Sequence, residues 1–204
     1  MIAVPQNYFS ADEYLRWEEQ QEEKHEYIDG QVYAMAGASE NHVDITTNLT
    51  VILSNHLRGK DCKLFPSDMR LNIASKKIYY YPDLLVTCDE RDRFNKKQKN
   101  YPCLIIEVLS ESTESKDRGV KFANYQTIQS LQEYVLISQW EQRVEVFRRS
   151  EKFWVLQTYT VGELIELQSI NLQISIDAIY EDVDLLAASS EASSEAILEA
   201  ILDI

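Results

Sequence analysis

Apolar and polar positions alternate in short blocks along most of the chain, and the period of the alternation changes from block to block. Residues 10–24 open on Ser10 and set Tyr14, Leu15 and Trp17 among Asp12, Glu13, Glu18, Glu19, Glu22 and Glu23, which predicts a capped helix with an acidic outer face. Residues 27–35 hold two short apolar runs parted by Asp29-Gly30, a hairpin signal, with Glu26 at the junction between helix and hairpin. Over residues 41–57, Ile45, Leu49, Ile52, Leu53 and Leu57 recur at helical spacing, and His42 lies in the first turn. Strands are predicted over 62–65 and 69–74, with Asp68 as a turn residue before the second. Residues 79–88 and 101–110 are too short and too apolar for surface helices, and each reads as a buried strand bounded by proline and charged turns.

The stretch that follows is rich in Ser and Thr and predicts a helix carrying Asp117, Lys121 and Tyr125 on one side at i, i+4 and i+8. Residues 133–138, 143–148 and 153–159 read as strands, the last two as a hairpin, with shorter candidates at 164–167 and 172–176. No Gly- or Pro-rich linker interrupts residues 1–180, which predict one mixed α/β domain with helices flanking a mostly contiguous sheet. Residues 181–204 read as an acidic tail or marginal helix, with Ala-Ser-Ser-Glu at 188–191 and again at 192–195.

Composition is that of a soluble globular protein, 45% hydrophobic and 26% charged over 204 residues. The N-terminus lacks the basic and apolar regions of a signal peptide, and no stretch reaches the roughly 18 apolar residues of a membrane helix. Cys62, Cys88 and Cys103 are odd in number and set in apolar runs, so they read as free core thiols and the expected location is the cytoplasm. The net charge of −14 argues against indiscriminate binding to nucleic acid. That charge is uneven: residues 153–204 carry 10 acids and no Lys or Arg, whereas residues 58–99 carry 11 basic residues against 6 acids. The second stretch leaves room for a basic face near the apolar strands, unless these are simply solvated loops.

Each of the two apolar strands carries one carboxylate among apolar neighbours, Asp83 in the first and Glu107 in the second. An isolated buried carboxylate costs several kcal/mol unless a cation or donor set receives it. Taken singly, Asp83 could serve a strand start after Pro82, and Glu107 could lie on an exposed sheet face. On neighbouring strands pointing the same way, the two make a seat for a divalent metal. Lys121, from the following helix, could then stand over the same spot with Asp117 as its partner. Two carboxylates, a metal and a lysine form a set suited to phosphodiester hydrolysis. His42 reads as a capping or packed residue, and Tyr79 to Tyr81 as aromatic cover for the core edge.

Pro82-Asp83, Ile106-Glu107-Val-Leu-Ser110 and Asp117-Arg-Gly-Val-Lys121, in that order, resemble the PD-(D/E)xK restriction-endonuclease-like superfamily, and within it the Uma-type endonuclease family, formerly a domain of unknown function. Glu26-Tyr-Ile-Asp-Gly30, Ser39-Glu-Asn-His42 and Pro66-Ser-Asp68 are also similar, and the likeness covers roughly residues 8 to 180. The resemblance implies a central mixed β-sheet flanked by helices and a Mg²⁺-dependent (or Mn²⁺-dependent) DNA endonuclease. It implies Asp83 and Glu107 as metal ligands together with the carbonyl of Val108, Glu26 as a further carboxylate near the metal, and a homodimer. One departure is plain: the superfamily lysine belongs two residues after the glutamate, where this chain has Leu109, so Lys121 would act as a relocated lysine. The alternatives are a degenerate member that binds nucleic acid or a protein without cutting, and a metal-independent carboxylate-pair hydrolase such as a glycosidase.

Overall fold

In the computed structural model, which describes residues 8–185, α1 (Ala11–Glu18) begins at a reciprocal cap. The Glu13 amide donates to Ser10 Oγ at 3.3 Å and the Ser10 amide donates to Glu13 Oε2 at 2.8 Å. The helix ends at Glu18 rather than near residue 24, because Glu18 turns inward and accepts the His25 amide at 3.0 Å. β1 (His25–Ile28) and β2 (Gln31–Ala34) form the expected hairpin. Its two turn residues, Asp29 at φ 44° and Gly30 at φ 96°, are both left-handed, as a tight two-residue loop requires.

α2 (Glu40–Leu57) starts at Ser39, whose Oγ accepts the His42 amide. Its apolar stripe, Ile45, Leu49, Leu53 and Leu57, is fully buried against Leu84, Val86, Leu104 and Ile106. Each such side chain contributes about 1.5–3 kcal/mol through burial, which fixes α2 across the sheet.

β3 (Lys63–Pro66), β4 (Arg70–Ile73), β5 (Ile78–Tyr80) and β6 (Leu84–Thr87) follow. The expected single strand over 79–88 is therefore two strands, β5 and β6, and they lie in different sheets. The break falls at Tyr81-Pro82-Asp83: Pro82 has no N–H to give to a ladder, so the chain leaves one sheet and joins the other there. Then come α3 (Arg91–Phe94), β7 (Gln98–Lys99) and β8 (Leu104–Leu109). A helical stretch, 114–125, is built from α4 (Glu114–Lys116), a π-helical turn (Asp117–Lys121) and α5 (Phe122–Tyr125). β9 (Glu133–Ser138), β10 (Arg143–Arg149) and β11 (Trp154–Thr160) are the expected strands, and β12 (Leu164–Leu167) with β13 (Leu172–Ser175) makes a small hairpin before α6 (Ile176–Ile179).

The strands assemble as a six-stranded sheet in the order β11-β10-β9-β8-β6-β3 and a five-stranded sheet in the order β2-β1-β5-β4-β7, rather than as one contiguous sheet. The larger sheet is mixed. β8 and β9 are parallel, joined by the helical crossover 114–125, and its other pairs are antiparallel. Alternation along β8 sorts its side chains between two cores. Leu104, Ile106 and Val108 face α2 and the β12–β13 hairpin, while Ile105 and Leu109 face Tyr80, Tyr125 and Tyr134. Glu107 belongs by alternation to this second face.

The cysteine expectation is overturned for one pair: Cys62 and Cys88 form a disulfide. Lys63 pairs with Thr87 across β3–β6, so the residues flanking that pair are brought face to face with Cα atoms 4.0 Å apart. A separation of 26 residues in sequence gave no sign of this register. Cys103 is free and buried, its Sγ 3.4 Å from that of Cys88. The thiol argument for a reducing compartment is lost with it. Among the described residues no helix is long and apolar enough to cross a membrane. The expected tail at 181–204 lies outside the described residues from 186 onward.

Candidate active site

Three crossings of the fold meet at one end of the β6–β8 pair. Asp83 stands just before β6, where the chain has crossed between sheets, and Ser67 closes the neighbouring turn by donating its amide to the Asp83 carbonyl at 2.7 Å. Glu107 lies inside β8, on the face shared with Ile105 and Leu109. The two carboxylates are interlocked through the backbone. The Asp83 amide donates to Glu107 Oε2 at 3.2 Å, and the Val108 amide donates to Asp83 Oδ2 at 2.7 Å. Lys121 comes from the π-helical turn, one π-turn residue set C-terminal to Asp117. A π-helical turn widens the helix locally and rotates the side chains after it, a feature often found at functional sites.

Lys121 Nζ lies 3.0 Å from Glu107 Oε1, 3.2 Å from Asp117 Oδ1 and 3.3 Å from Glu26 Oε1. All four side chains are at least nine-tenths buried. Tyr125 Oη donates to Glu107 Oε1 at 2.7 Å, and His42 Nε2 is 3.1 Å from Asp83 Oδ2. All of these except Tyr125 line a cavity of about 160 Å³ with Tyr81, Val108 and Ser110. Three larger cavities, about 700, 440 and 230 Å³, contain neither Asp83 nor Glu107; size alone would point away from this chemistry.

One ammonium serves three carboxylates here, and the titrations follow from that imbalance. Burial pushes the Glu107 carboxyl up to about 8; Lys121 pulls it down, but the charges of Asp117 and Asp83 oppose that pull. Glu26 is raised as well, again chiefly by burial. Neither of its oxygens has a partner in hydrogen-bonding geometry, and one Asp117 oxygen likewise lacks one. Burial alone would lower Lys121, but Glu107, Glu26 and Asp117 together hold it well above its ordinary value. For His42, too, burial acts downward, and the hydrogen bond and charge of Asp83 outweigh it.

The donor set suits a hard divalent cation. Every carboxylate offers oxygen ligands, negative charge exceeds positive, and Glu26, whose carboxylate has an ion pair to Lys121 but no hydrogen bond, lines the same cavity. No group of three or more His, Cys, Asp or Glu side chains forms a ready metal cage among the described residues, since three of the carboxylates are gathered on Lys121. Mg²⁺ does not need such a cage; it is commonly held by one or two carboxylates, with waters and substrate oxygens completing the shell.

Of the residues singled out in the sequence, Asp83, Glu107, Val108, Glu26 and Lys121 all line this cavity. Leu109 does not, since it is packed into the core with Ile105 and Leu136, so the position two after the glutamate is spent on packing. Sequence reasoning undervalued His42, read as a cap or packed residue: Ser39 is the cap, and the His42 ring reaches Asp83. It also missed the Tyr125 hydroxyl on Glu107, although the i+8 spacing from Asp117 had placed Tyr125 on the correct helix side. Asp68 is structural, a left-handed turn residue at φ 56°, and Tyr79 packs with Tyr14 and Tyr27 as core-edge cover.

Comparison with known proteins shows the family and the fold. A family model described as "putative restriction endonuclease", Uma2, matches residues 11–178. An uncharacterized protein of Synechocystis sp. is 44% identical over 172 residues, covering 84% of this chain and 90% of its own. A second uncharacterized Synechocystis protein is 40% identical over 171 residues, covering 82% and 96%. The crystal structure of a "putative nuclease belonging to DUF820" from Anabaena variabilis superposes with a TM-score of 0.69 at 19% identity, covering 84% of this chain and 97% of that one. The fold is therefore restriction-endonuclease-like, a mixed α+β arrangement with helices flanking mixed sheets.

Proposed function

The chain belongs to the Uma2 family, and from that premise we propose that it is a metal-dependent endonuclease that hydrolyses DNA phosphodiester bonds at the Asp83–Glu107–Lys121 site. The observation that carries this reading is the position of Lys121 Nζ, 3.0 Å from Glu107 in a cavity that also holds Asp83 and Glu26. Family membership and fold support nuclease chemistry; the cavity supports a particular set of residues for it.

In this reading Asp83 and Glu107 would hold Mg²⁺ or Mn²⁺ with the Val108 carbonyl, and Glu26 would lie close by. The bound ion would supply Lewis-acid polarisation of the phosphate and a lowered pKa for the attacking water. The chain's own part is positional. The Val108 amide and the His42 ring both hold Asp83 Oδ2, so one oxygen is fixed and the carboxylate cannot rotate away. Tyr125 holds Glu107 at Oε1, the oxygen that Lys121 also faces. Lys121 carries a positive charge that no other group in the cavity supplies apart from His42. The Lys121 ammonium would hydrogen-bond the attacking water or offset charge developing on the phosphate. Asp117, one helical turn away, keeps that ammonium protonated and aimed.

The test is cleavage of supercoiled plasmid in Mg²⁺ and in Mn²⁺, with calorimetry of metal binding on the same samples. Wild type should nick or linearise the plasmid only with metal, and Asp83→Ala/Glu107→Ala should lose both binding and cleavage. Metal binding by wild type without cleavage of any DNA would instead favour the non-cutting reading, which Leu109 in the usual lysine position suggests. Cleavage that survives chelation would overturn the metal assignment. If DNA is the substrate, a homodimer is the simplest way to reach both strands of a duplex.

A further inference from the structure

On the same sheet face as Asp83, at the far end of β3–β6, a second cavity of about 440 Å³ opens beside α3. Its walls include five cations, Lys60, Lys63, Arg93, Lys96 and Lys99, against three carboxylates, in a chain whose net charge is −14. The segment that forms it, residues 89–100, is held by two buried charged residues. Asp92 accepts from the Thr87 hydroxyl at 2.9 Å and from the amides of Asn100 and Tyr101 at 2.9 and 3.0 Å. Lys99 donates to the carbonyls of Asp92 and Asn95 at 2.7 and 2.5 Å and lies over the Phe65 ring. Both anchors are spent internally, so neither is available to a ligand. What they display is different: Lys96 is exposed, and Phe94 is 86% exposed between Arg93 and Lys96. Lys63, on the facing strand, is also exposed, and among the described residues neither Lys63 nor Lys96 has an acidic partner, the nearby Arg93 and Lys97 being the ones paired to Asp61 and Glu19. Phe94 therefore stands exposed between Arg93, which pairs with Asp61 at 2.8 Å, and Lys96, on a loop held by two buried anchors.

We propose that this loop and the adjoining end of β3 form a second contact for the nucleic-acid backbone, with Lys63 and Lys96 on phosphates and Phe94 against an unstacked base or sugar. The geometry favours nucleic acid over a protein partner. Lys63 is paired with Thr87, four residues beyond Asp83 along one strand, a span of about 13 Å. A DNA strand carries one charge per about 3.4 Å of helix axis, so a duplex laid along β3 with a phosphate at Asp83 would present another to Lys63 about four base pairs on. Cations interleaved with an exposed aromatic are also the usual composition of a surface that tracks a phosphate backbone and stacks bases. This inference rests on the nuclease reading for the position of the substrate at Asp83, but not for the existence of the contact.

The experiment is fluorescence anisotropy on an end-labelled 20-base-pair duplex that carries a short single-stranded overhang, in EDTA and at several salt concentrations, for wild type, Lys63→Glu/Lys96→Glu and Phe94→Ala. The double variant should bind at least about 10-fold more weakly, with a salt slope shallower by about 2, as expected for two lost phosphate contacts. Phe94→Ala should lose about 10-fold in affinity with the slope unchanged, because it removes an apolar contact and no charge. The substituted side chains are exposed, so melting curves should match wild type and exclude misfolding as the cause. An unchanged affinity and slope in Lys63→Glu/Lys96→Glu would overturn the proposal, as would a wild type that does not bind the duplex. The nuclease reading fails separately. Plasmid cleavage that survives Asp83→Ala/Glu107→Ala would refute that site while leaving the salt slopes to decide the loop.

Discussion

Lys121 Nζ stands 3.0 Å from Glu107 Oε1 although the lysine belongs to a helix and the glutamate to a strand 14 residues earlier. In the proposed site the pair would supply on two elements what a single strand would supply with a lysine at position 109. Because Lys121 also faces Glu26 and Asp117, its removal strands three carboxylates in one buried cavity. Lys121→Met should therefore reduce plasmid cleavage by about 10²–10³-fold and destabilise the metal-free protein by about 3–5 kcal/mol. Saturating Mg²⁺ should recover part of the stability and none of the activity. Melting with and without metal, beside a cleavage assay, checks both. Near-normal cleavage in Lys121→Met would remove it from the catalytic set.

How much of this was legible in the sequence depends on the range of the signal. The α2 stripe and the Asp29-Gly30 hairpin are local patterns, and both form as expected. Asp83 and Glu107 stood out because charge in an apolar run is costly wherever it lies. The split at Pro82 was also written in the chain, but the apolar run on either side masked it; only sheet assignment shows that β5 and β6 part company there. The Cys62–Cys88 bond and the reach of His42 to Asp83 depend on which strand lies beside which, and that is decided by long-range packing rather than by residues near either position. Spacing put Lys121 and Asp117 on one helix side, but not the π-helical turn between them.

The raised Glu107 carboxyl gives a pH prediction with a definite sign. Folded, it holds its proton up to about 8, against an ordinary value of 4.5. The folded state thus binds a proton more tightly than the unfolded chain does, so the associated stability is complete below about 4.5 and is lost as pH rises through about 8. The metal-free protein should melt at progressively lower temperature from pH 5 to 8.5, and Glu107→Gln should flatten much of that decline. Metal affinity should move the opposite way, rising with pH until Glu107 is ionised and then levelling off, because ligand and proton compete for the carboxylate. Calorimetry at pH 6, 7 and 8.5 reads this directly. Affinity independent of pH over that range would show that Glu107 is not a ligand.

His42 fixes one oxygen of Asp83 from 3.1 Å. Groups that orient a metal ligand without touching the metal typically change affinity by about 10–100-fold when removed. His42→Ala should weaken Mg²⁺ binding within that range, while leaving the helix intact because the cap is Ser39. Far-ultraviolet circular dichroism and calorimetry on the same preparation separate the two effects. Unchanged metal affinity would return His42 to a packing role.

The Cys62–Cys88 bond ties the start of β3, an edge strand, to the end of β6. Closing a loop of this length restricts the unfolded chain by about 3 kcal/mol in the chain-entropy model. Cys62→Ser should lower stability by about 2–4 kcal/mol in denaturant titrations under non-reducing conditions. The same difference should vanish when both proteins are reduced. Thiol titration supplies the control: the unreduced, unfolded wild type should show one reactive thiol, Cys103, and three after reduction.

Glu26 separates stability from function. Its carboxylate is 1% exposed, raised by burial, and without a hydrogen-bond partner on either oxygen, although Lys121 lies within ion-pair distance. A group held this way opposes folding by about 1–3 kcal/mol, so a chain selected for stability alone would not keep it. Glu26→Gln removes the charge and nearly preserves the shape. It should raise the melting temperature of the metal-free protein by about 2–12 °C, since each kcal/mol shifts a domain of this size by about 2–4 °C. It should also weaken Mg²⁺ binding and lower cleavage by at least about 10-fold. A rise in melting temperature with undiminished metal affinity would mean that Glu26 serves only to hold Lys121. A fall in melting temperature would mean that the ion pair to Lys121 outweighs the burial of the charge.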